Sequence, residues 1–361
     1  MKKMIHLLTG LARGGCEGNA LRFVENTPGV HHHLVVLGAP GPMEQDFKKT
    51  GATVDYLPLE KSPWGLSQRI RECVLPHNPA GVIVWHGMVM LPQTLRGLRG
   101  SPFNILVHGG NPAHGMPLRV DLRYYLLEKL LGQRAEATYV CCSQHVADSF
   151  QESLYLRRFR SVVVPNGVHS PSVSLHKPRE IRPGHAVTLG MVARLDSIKD
   201  HATLLRAFAA LLKEWPEARL ELVGDGAERQ RLETMADELQ VAQRVVFHGT
   251  LSDVYETMTR WDLFAYATTI QEGLGNALAE AMMLGLPCVA TNVKPIQELA
   301  GTPSCVELVQ PASPEAMTQG ILRLLHSFEL REKLSSSAHG RAKKELSAEV
   351  YAQHYVGLLS A

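Results

Sequence analysis

Short, nearly continuous apolar runs alternate with stretches of helical spacing along the whole chain. In the first half the runs each end in glycine or a polar residue, as in MIHLLTG, HHLVVLG, GVIVWHG and FNILVHGG. Strands that are apolar along their whole length are buried on both faces, which is typical of parallel sheets covered by helices. The pattern therefore predicts repeated βα units and an α/β fold.

A segment rich in serine, proline and charge, HSPSVSLHKPREIRPG, follows Asn166 and Gly167 and divides the chain. A second βα series begins after it, at AVTLGMVAR. A chain of 361 residues also suits two domains better than one core. We therefore predict two Rossmann-like domains that face each other across a deep cleft, residues 1–168 and 169–344. A C-terminal helix of about 345–361 is expected to complete the first domain.

The composition, 45% hydrophobic and 20% charged, is that of a globular protein. No apolar run reaches the roughly 20 residues of a membrane span, and the apolar stretch in MKKMIHLLTG is too short for a secretion signal. We therefore expect a cytoplasmic protein. The six cysteines form no C-x-x-C pair, so we expect reduced thiols and no zinc site. The run of His31, His32 and His33 is interpreted as surface histidines.

The net charge of +2 hides an asymmetry between the two halves. Residues 1–168 hold 18 basic and 12 acidic residues, which gives +6, whereas the remainder holds 19 and 23, which gives −4. Two basic segments, 116–134 and 155–160, stand out in the first half. They could lie on the inner face of an anionic membrane, contact an anionic acceptor, or cover a core with a solvated outer face. No recognition motif for nucleic acid is present.

Arg194 and Lys199 lie five residues apart, directly after the predicted strand TLGMVAR. Ligands of open parallel sheets bind at the carboxyl ends of the strands. Two cations at such an end fit an anionic group such as a diphosphate, which arginine can hold with two hydrogen bonds. A solvated pair on a loop is the alternative.

The segment TIQEGLGNALAEAMMLGLPCVA places two glutamates eight positions apart around a strand-to-helix turn. We expect Asn276 to cap the helix and Glu280 to lie on its first turn. Glycines at such a turn let a phosphate approach the amides of the helix start. Glu280 would then bind the diol of a ribose and Glu272 the hydroxyls beyond the diphosphate. The alternative for Glu280 is that it only complements the helix dipole.

These residues resemble the E-x7-E signature of the retaining glycosyltransferases of family 4, with Gly285 and Pro287 at the expected offsets. Arg194 and Lys199 are similar to the R-x4-K diphosphate pair of that family. The resemblance implies the GT-B architecture. In the first half the resemblance is looser and rests on Gly14, Gly15 and His108. A Gly-Gly pair after a strand is often only a turn, and a histidine at a strand end is often structural.

The resemblance implies transfer of a sugar, with retention, from a nucleoside-diphosphate-sugar to a hydroxyl acceptor. A UDP-sugar is the expected donor, and a sugar or lipid-linked acceptor in polysaccharide, lipopolysaccharide or glycolipid synthesis is expected. It implies a hexosyltransferase that needs neither metal nor cofactor. The catalytic residues implied are His108, Arg194, Lys199 and Glu272. The diphosphate would be bound by Gly14, Gly15, Arg194, Lys199, Leu274, Gly275 and Asn276. The nucleoside would contact Gly224, Leu251 and Glu280, and the sugar His108, Glu272 and Gly273.

Two positions depart from the family pattern. Ala193 stands where the family often has glycine before the arginine, and residues 294–298 read KPIQE where a Gly-Gly-x-x-E loop is usual. The second departure puts the shape of the donor pocket in doubt. An epimerase or hydrolase of nucleotide-sugars on the same fold, and a partner subunit without catalysis, remain as alternative functions.

Overall fold

The computed structural model describes residues 2–58, 62–85, 91–114, 116–132, 134–251 and 253–360. Parts of the predicted strand GVIVWHG and one position of the basic segment 116–134 lie outside these ranges. The chain forms two compact units, Met1–Gly167 with Ala348–Ala361, and Val168–Ser347. We call them unit 1 and unit 2. The sequence placed the domain boundaries between residues 168 and 169 and between residues 344 and 345, whereas the two units meet between 167 and 168 and between 347 and 348.

Unit 1 is built on a parallel sheet in which each of the first six strands is followed by a helical segment. Its strands are β1 (Lys3–Leu8), β2 (His31–Val36), β3 (Thr53–Tyr56), β4 (Gly81–Val84), β5 (Asn104–Gly109), β6 (Thr138–Cys141) and β7 (Arg160–Val163). Its first six helices are α1 (Gly15–Glu25), α2 (Glu44–Lys49), α3 (Pro63–Val74), α4 (Leu91–Gly97), α5 (Leu118–Leu131) and α6 (Gln144–Ser149). The strand order is β3-β2-β1-β4-β5-β6-β7.

Unit 2 repeats the plan with a second parallel sheet. Its strands are β8 (Thr188–Val192), β9 (Arg219–Val223), β10 (Val245–Gly249), β11 (Leu263–Tyr266), β12 (Cys288–Thr291) and β13 (Glu307–Val309), in the order β10-β9-β8-β11-β12-β13. Its helices are α7 (His201–Leu211), α8 (Arg229–Glu238), α9 (Tyr255–Met258), α10 (Asn276–Leu284), α11 (Lys294–Ala300), α12 (Pro314–His326) and α13 (Phe328–Glu345). The strand order reverses direction between β8 and β11, and loops at such a switch point diverge to leave a crevice for ligands.

The last helix, α14 (Ala348–Ser360), belongs to unit 1. It buries Tyr351 and Tyr355 against α1 and β5. A side chain on Gly167 would collide with Tyr351, because an added Cβ would lie 2.7 Å from the Tyr351 Cβ. Helix α14 therefore packs so closely against Gly167 that only glycine fits at this position.

The interpretation of the histidine run as surface residues was wrong. His32 and His33 are each only 5% exposed, because they lie within β2, which is paired with β1 on one side and β3 on the other. His32 hydrogen-bonds to His6 at 2.9 Å and to the Thr27 hydroxyl at 2.9 Å. Burial lowers the pKa of His32 to about 4. These partners satisfy a neutral imidazole at His32, so His32 and His33 belong to the polar interior of unit 1, whereas His31 is half-buried.

Gly190 lies in a closely packed part of the core of unit 2. It lies in β8, where an added Cβ would come within 2.0 Å of the indole of the buried Trp261. Gly340, in α13, has open space where its Cβ would be. The same glycine-to-alanine change should therefore have opposite effects at the two positions.

We expect Gly190→Ala to lower the free energy of unfolding of unit 2 by about 3 kcal/mol, because the core must shift to admit the methyl group. Gly340→Ala should raise it by about 0.5 kcal/mol, since alanine favours a helix interior. Urea denaturation followed by circular dichroism measures both. Equal small effects of the two changes would contradict the packing described for β8.

Candidate functional site

The two sequence features singled out in the second half meet at the switch point of unit 2. Lys199 lies in the loop after β8 and Glu272 in the loop after β11, and these two strands are hydrogen-bonded neighbours. The ammonium group of Lys199 donates directly to Oε2 of Glu272. The two side chains are only 12% and 10% exposed. The structure therefore joins the predicted diphosphate lysine and the predicted sugar-binding glutamate in one buried ion pair.

Two hydroxyl groups complete the surroundings of the Glu272 carboxylate. Oε2 also accepts from the Tyr266 hydroxyl at 2.8 Å and from Thr268 Oγ1 at 3.0 Å. Tyr266 in turn accepts a hydrogen bond of 2.7 Å from Lys199. A buried charge is costly unless it is paired and hydrogen-bonded. Here every partner comes from the two loops or the end of β11, so the carboxylate is held in one position.

The electrostatics follow from this arrangement. Burial acts to raise the pKa of Glu272, but the charge of Lys199 and the hydrogen bonds of its three partners outweigh burial and lower it. Glu272 is therefore ionised at neutral pH. Burial raises the pKa of Tyr266 well above its ordinary value, and the Glu272 carboxylate raises it further. The charges of Glu280 and Asp196 raise the pKa of Tyr266 in the same direction.

Backbone hydrogen bonds fix the two loops to each other. Asp200 N donates to Ala267 O at 3.1 Å, and Thr269 N donates to Ile198 O at 3.1 Å. The Asp200 side chain then caps α7 by accepting from Thr203 N. The ion pair thus lies on a rigid frame, which is what a site that orients a ligand needs.

Arg194 lies at the start of the same loop but does not join the buried pair. Its side chain is 74% exposed and contacts Asp196 Oδ2 at 2.8 Å. An exposed ion pair of this kind contributes little to stability. The guanidinium group can therefore exchange Asp196 for an anionic ligand at little cost.

The helix start that follows Glu272 differs from the prediction in two details. The cap position belongs to Gly275, whose φ of 97° is left-handed, and Asn276 is already the first residue of α10. Glu280 lies on the second turn of α10 and not on the first, because the helix begins one residue earlier than expected. A glycine at the cap has no side chain to cover the helix amides, so they remain suited to an anion.

The remaining residues of this segment are placed by packing. Gly273 and Gly275 are buried, and Leu274 directs its side chain into the core at 4% exposure. Only the backbone of Leu274 is thus suited to contact a ligand. Ile296 closes over the turn, since an added Cβ on Gly275 would lie 3.0 Å from its Cδ1.

The predicted nucleoside-binding residues line the neighbouring strand ends. Gly224 follows β9 with a φ of 134°, and an added Cβ would lie 1.9 Å from Ala193 O. Its amide donates to Gly249 O at 2.8 Å, which ties the end of β9 to that of β10. Leu251, two residues further on, is half-buried. Glycine is required at position 224 because the loop after β9 touches the loop after β8 at Ala193.

The departure at residues 294–298 has a structural consequence. This segment forms the first turn and a half of α11, with Pro295 at its second position. A Gly-Gly loop would leave the backbone free to adopt other conformations, whereas the KPIQE sequence continues as a helix. The side of the site next to β12 is therefore a helix start in this chain.

His108 belongs to unit 1, where it is 3% exposed near the end of β5. Nδ1 lies 3.0 Å from the Tyr355 hydroxyl of α14, and Nε2 lies 3.3 Å from Asn19 Nδ2 of α1. Asn19 is itself held by Arg22, whose Nη1 donates to Oδ1 at 3.0 Å. Because Arg22 donates to Oδ1, the Asn19 amide nitrogen faces His108, so Nε2 accepts from it and Nδ1 carries the proton. Two helices thus orient one imidazole.

The Gly14–Gly15 step begins the same helix that carries Asn19. Both glycines are exposed, and Gly14 occupies the cap position of α1 in an extended conformation. Glu17 folds back over it, so that its Oε2 would lie 2.6 Å from an added Cβ on Gly14. This carboxylate already complements the dipole of α1. The start of α10 is therefore the better anion site of the two helix starts.

The sequence did not single out Tyr266, Thr268, Asn19 or Tyr355. Tyr266 and Thr268 stand in or after an apolar run, where a tyrosine reads as a core residue. Their one signal is position, because Tyr266 ends the strand that leads to Glu272 and Thr268 follows it. Asn19 is a polar residue on the buried face of α1. Among the described residues no group of three or more His, Cys, Asp or Glu side chains is placed to hold a metal ion.

The chain is similar to known proteins both in sequence and in fold. Residues 175–341 match the model of the family described as glycosyl transferases group 1. The chain is 25% identical to EpsF of Bacillus subtilis (strain 168), named as a glycosyltransferase, over 98% of this chain and 92% of that one. It is 26% identical to the lipopolysaccharide core biosynthesis glycosyltransferase LpsD of Rhizobium meliloti (strain 1021), over 95% of each chain.

Among solved structures, Alr3699/HepE of Anabaena in complex with UDP and glucose superposes with a TM-score of 0.83 at 18% identity, over 100% of both chains. The prediction of two Rossmann-like α/β domains is confirmed by the two parallel sheets and by this likeness. Together the matches relate the chain to glycosyltransferases by part of its sequence and by its fold. Family 4, retention and the roles of individual residues stay predictions.

The Lys199–Glu272 pair generates a stability test. We expect Lys199→Met to lower the free energy of unfolding of unit 2 by about 3 kcal/mol, because it leaves a buried carboxylate without its cation. The double variant Lys199→Met, Glu272→Gln should regain most of that loss. The four proteins form a double-mutant cycle in urea. Additive effects of the two substitutions would contradict the pairing.

The same cycle has a pH dependence. The pKa of Glu272 is lower in the folded protein than its ordinary value of 4.5, so the pair contributes fully above about that pH. Its contribution is lost as the pH falls through the folded-state pKa. The wild-type protein should therefore lose stability more steeply below pH 4.5 than the double variant does.

Proposed function

We propose that this protein is a retaining glycosyltransferase that moves a sugar from a nucleoside-diphosphate-sugar, preferably a UDP-sugar, to a hydroxyl acceptor. The observation that carries the proposal is the buried Lys199–Glu272 pair at the switch point of unit 2, beside a helix start capped by glycine. The matched family model covers this part of the chain. The acceptor class proposed is a sugar or lipid-linked sugar in polysaccharide, lipopolysaccharide or glycolipid synthesis, in keeping with the name of LpsD.

Stabilisation of the leaving diphosphate is the main catalytic contribution in this mechanism. As the bond between the anomeric carbon and the phosphate oxygen breaks, negative charge grows on the diphosphate. Arg194 can turn from Asp196 to this charge, and the amides of Gly275 and Asn276 point from the start of α10. Positioned donors of this kind in a partly dry site are the largest single contribution in many enzymes. In this proposal the cations take the place of a metal.

Lys199 changes partner when the donor binds. A diphosphate offers more negative charge than one carboxylate, so the ammonium group would move from Glu272 to the phosphate oxygens. Tyr266 and Thr268 still donate to Glu272 and keep it in place. The carboxylate oxygens would then accept from the hydroxyls of the sugar and orient it. Before the donor binds, the Lys199–Glu272 pair keeps both side chains in place, and donor binding separates the pair.

The acceptor oxygen attacks the anomeric carbon on the face that the diphosphate leaves. The acceptor proton passes to the departing phosphate oxygen, so no separate base is required. Glu280, on the second turn of α10, would bind the ribose diol, and Gly224 and Leu251 would contact the base. His108, held by Asn19 and Tyr355, would orient or polarise the sugar, with Gly14 and Gly15 allowing close approach of the ligand.

An activity assay with labelled donors distinguishes the alternatives. Incubation with radiolabelled UDP-, GDP- and ADP-sugars should give slow hydrolysis, or transfer when an acceptor extract is added, with the UDP-sugar preferred. An epimerised sugar without transfer would favour the epimerase. Absence of donor binding would favour a partner subunit without catalysis.

We expect Lys199→Met and Glu272→Gln each to lower turnover more than about a hundredfold, because each removes a group that contacts the reacting substrate. The matched controls are Lys213→Met and Glu214→Gln, which change the same chemical groups on the exposed surface of unit 2. The controls should keep full activity. A loss below tenfold in both site variants, with the fold intact, would overturn the assignment.

His108 provides a separate test, because the proposed nucleotide contacts of Arg194, Lys199 and Glu280 all lie in unit 2. We expect His108→Gln to lower kcat about a hundredfold while the Kd for UDP, measured by calorimetry, changes less than threefold. A parallel loss of UDP affinity would show that His108 acts on the nucleotide and not on the sugar.

A further inference from the structure

We infer that the exposed face of α5 is a docking surface for an anionic phospholipid bilayer. The proposal concerns unit 1 alone and does not depend on the transfer chemistry. It begins from four leucines spaced four residues apart, which lie on one face of the helix. Their exposed fractions are 69% for Leu118, 42% for Leu122, 55% for Leu126 and 66% for Leu130.

The inner face of α5 is where its acids lie. Asp121 is 4% exposed and accepts hydrogen bonds from Ser153 Oγ and from the amides of Leu154 and Tyr155. Glu128 is 5% exposed and pairs with Arg134 and Arg158. The helix is thus amphipathic in the reverse of the usual sense. Its leucines face outward, so the interpretation of this segment as a core helix with a solvated polar face does not apply to them.

The charges that share the exposed face are all positive. Arg119, Arg123 and Lys129 are exposed. Of the residues of α5, all of which the structure describes, only Asp121 and Glu128 are acidic, and both are buried. The surface therefore combines exposed leucine side chains with three cations and no exposed acid.

The structure also brings the second basic segment to this helix. The Arg158 guanidinium lies 5.4 Å from the ring centre of Tyr125, and Lys129 lies 5.6 Å from the same ring. Arg157, in the same short helical turn, is exposed. The basic segments 116–134 and 155–160 thus form one surface.

The positive charge of this face favours an anionic bilayer over a second copy of the chain. A second copy of the chain in a twofold contact would place these cations opposite their own copies, which is repulsive. An anionic bilayer supplies headgroup phosphates for the cations and an acyl boundary for the leucines. The 14 residues of α5 extend only about 21 Å. The helix would therefore lie in the plane of the interface. No described helix of the chain is both long and apolar enough to cross a membrane.

Vesicle sedimentation of the full chain tests the proposal. We expect binding to vesicles of phosphatidylcholine with one third phosphatidylglycerol, and little binding to pure phosphatidylcholine. Leu122→Ser with Leu126→Ser should lower the bound fraction more than about tenfold, because the apolar anchor is lost. Arg119→Gln with Arg123→Gln should lower the partition coefficient about fivefold for each charge removed. Salt at about 0.5 M should weaken binding of the wild-type protein.

Matched controls lie on unit 2. Leu175→Ser changes a leucine that is 45% exposed, and Arg206→Gln with Lys213→Gln removes two exposed charges. Both controls should bind vesicles like the wild-type protein. The proposal is overturned if the wild-type protein binds neither vesicle, or if the α5 variants bind as well as the controls. It is equally overturned if light scattering shows a dimer that the leucine substitutions convert to a monomer without affecting sedimentation.

Discussion

The ion pair between Lys199 and Glu272 is the interaction on which the arrangement of unit 2 at its switch point depends. Each partner lies in a loop after one of two adjacent strands, and burial makes each charge costly without the other. The loops can therefore adopt few conformations that leave the charges satisfied. Tyr266 and Thr268 add hydrogen bonds to the same carboxylate oxygen, so one small network sets the geometry of both loops. A site held in this way needs little reorganisation when a ligand replaces one of the partners.

The same pair explains how the site can be stable without substrate and still bind an anion. Buried cations and carboxylates are each expensive when single, and pairing them offsets that cost in the free protein. A diphosphate that took over Lys199, as proposed above, would leave Glu272 with its two hydroxyl donors, which would keep it oriented. Arg194 follows a different rule, because its exposed contact with Asp196 is weak and easily exchanged. In this loop Lys199 is thus held in a fixed position, whereas Arg194 can change its partner easily.

The sequence predicted much of this, and the reasons for the rest are physical. Apolar runs and their order were enough for two parallel sheets, and the spacing of Lys199 and Glu272 after strands placed both at the sheet edge. Tyr266 could not be found, since an aromatic residue in an apolar run has the same pattern whether its hydroxyl is bonded or not. The start of α10 was off by one residue because Gly275 adopts a left-handed conformation that letters alone do not reveal. The sequence showed that the segment of α5 is basic but not which side of the helix meets the core.

That last ambiguity has a general cause, which the acids of α5 make clear. A leucine stripe indicates burial only if the opposite face can be solvated, and on α5 the opposite face carries two carboxylates with fixed partners. Asp121 accepts three hydrogen bonds and Glu128 pairs with two arginines, so their charges are satisfied inside the fold. Neither acid then offsets the cations outside. The surface of this helix is therefore more basic than the excess of +6 over residues 1–168 implies. The exposed leucines add apolar area, which a purely electrostatic surface lacks.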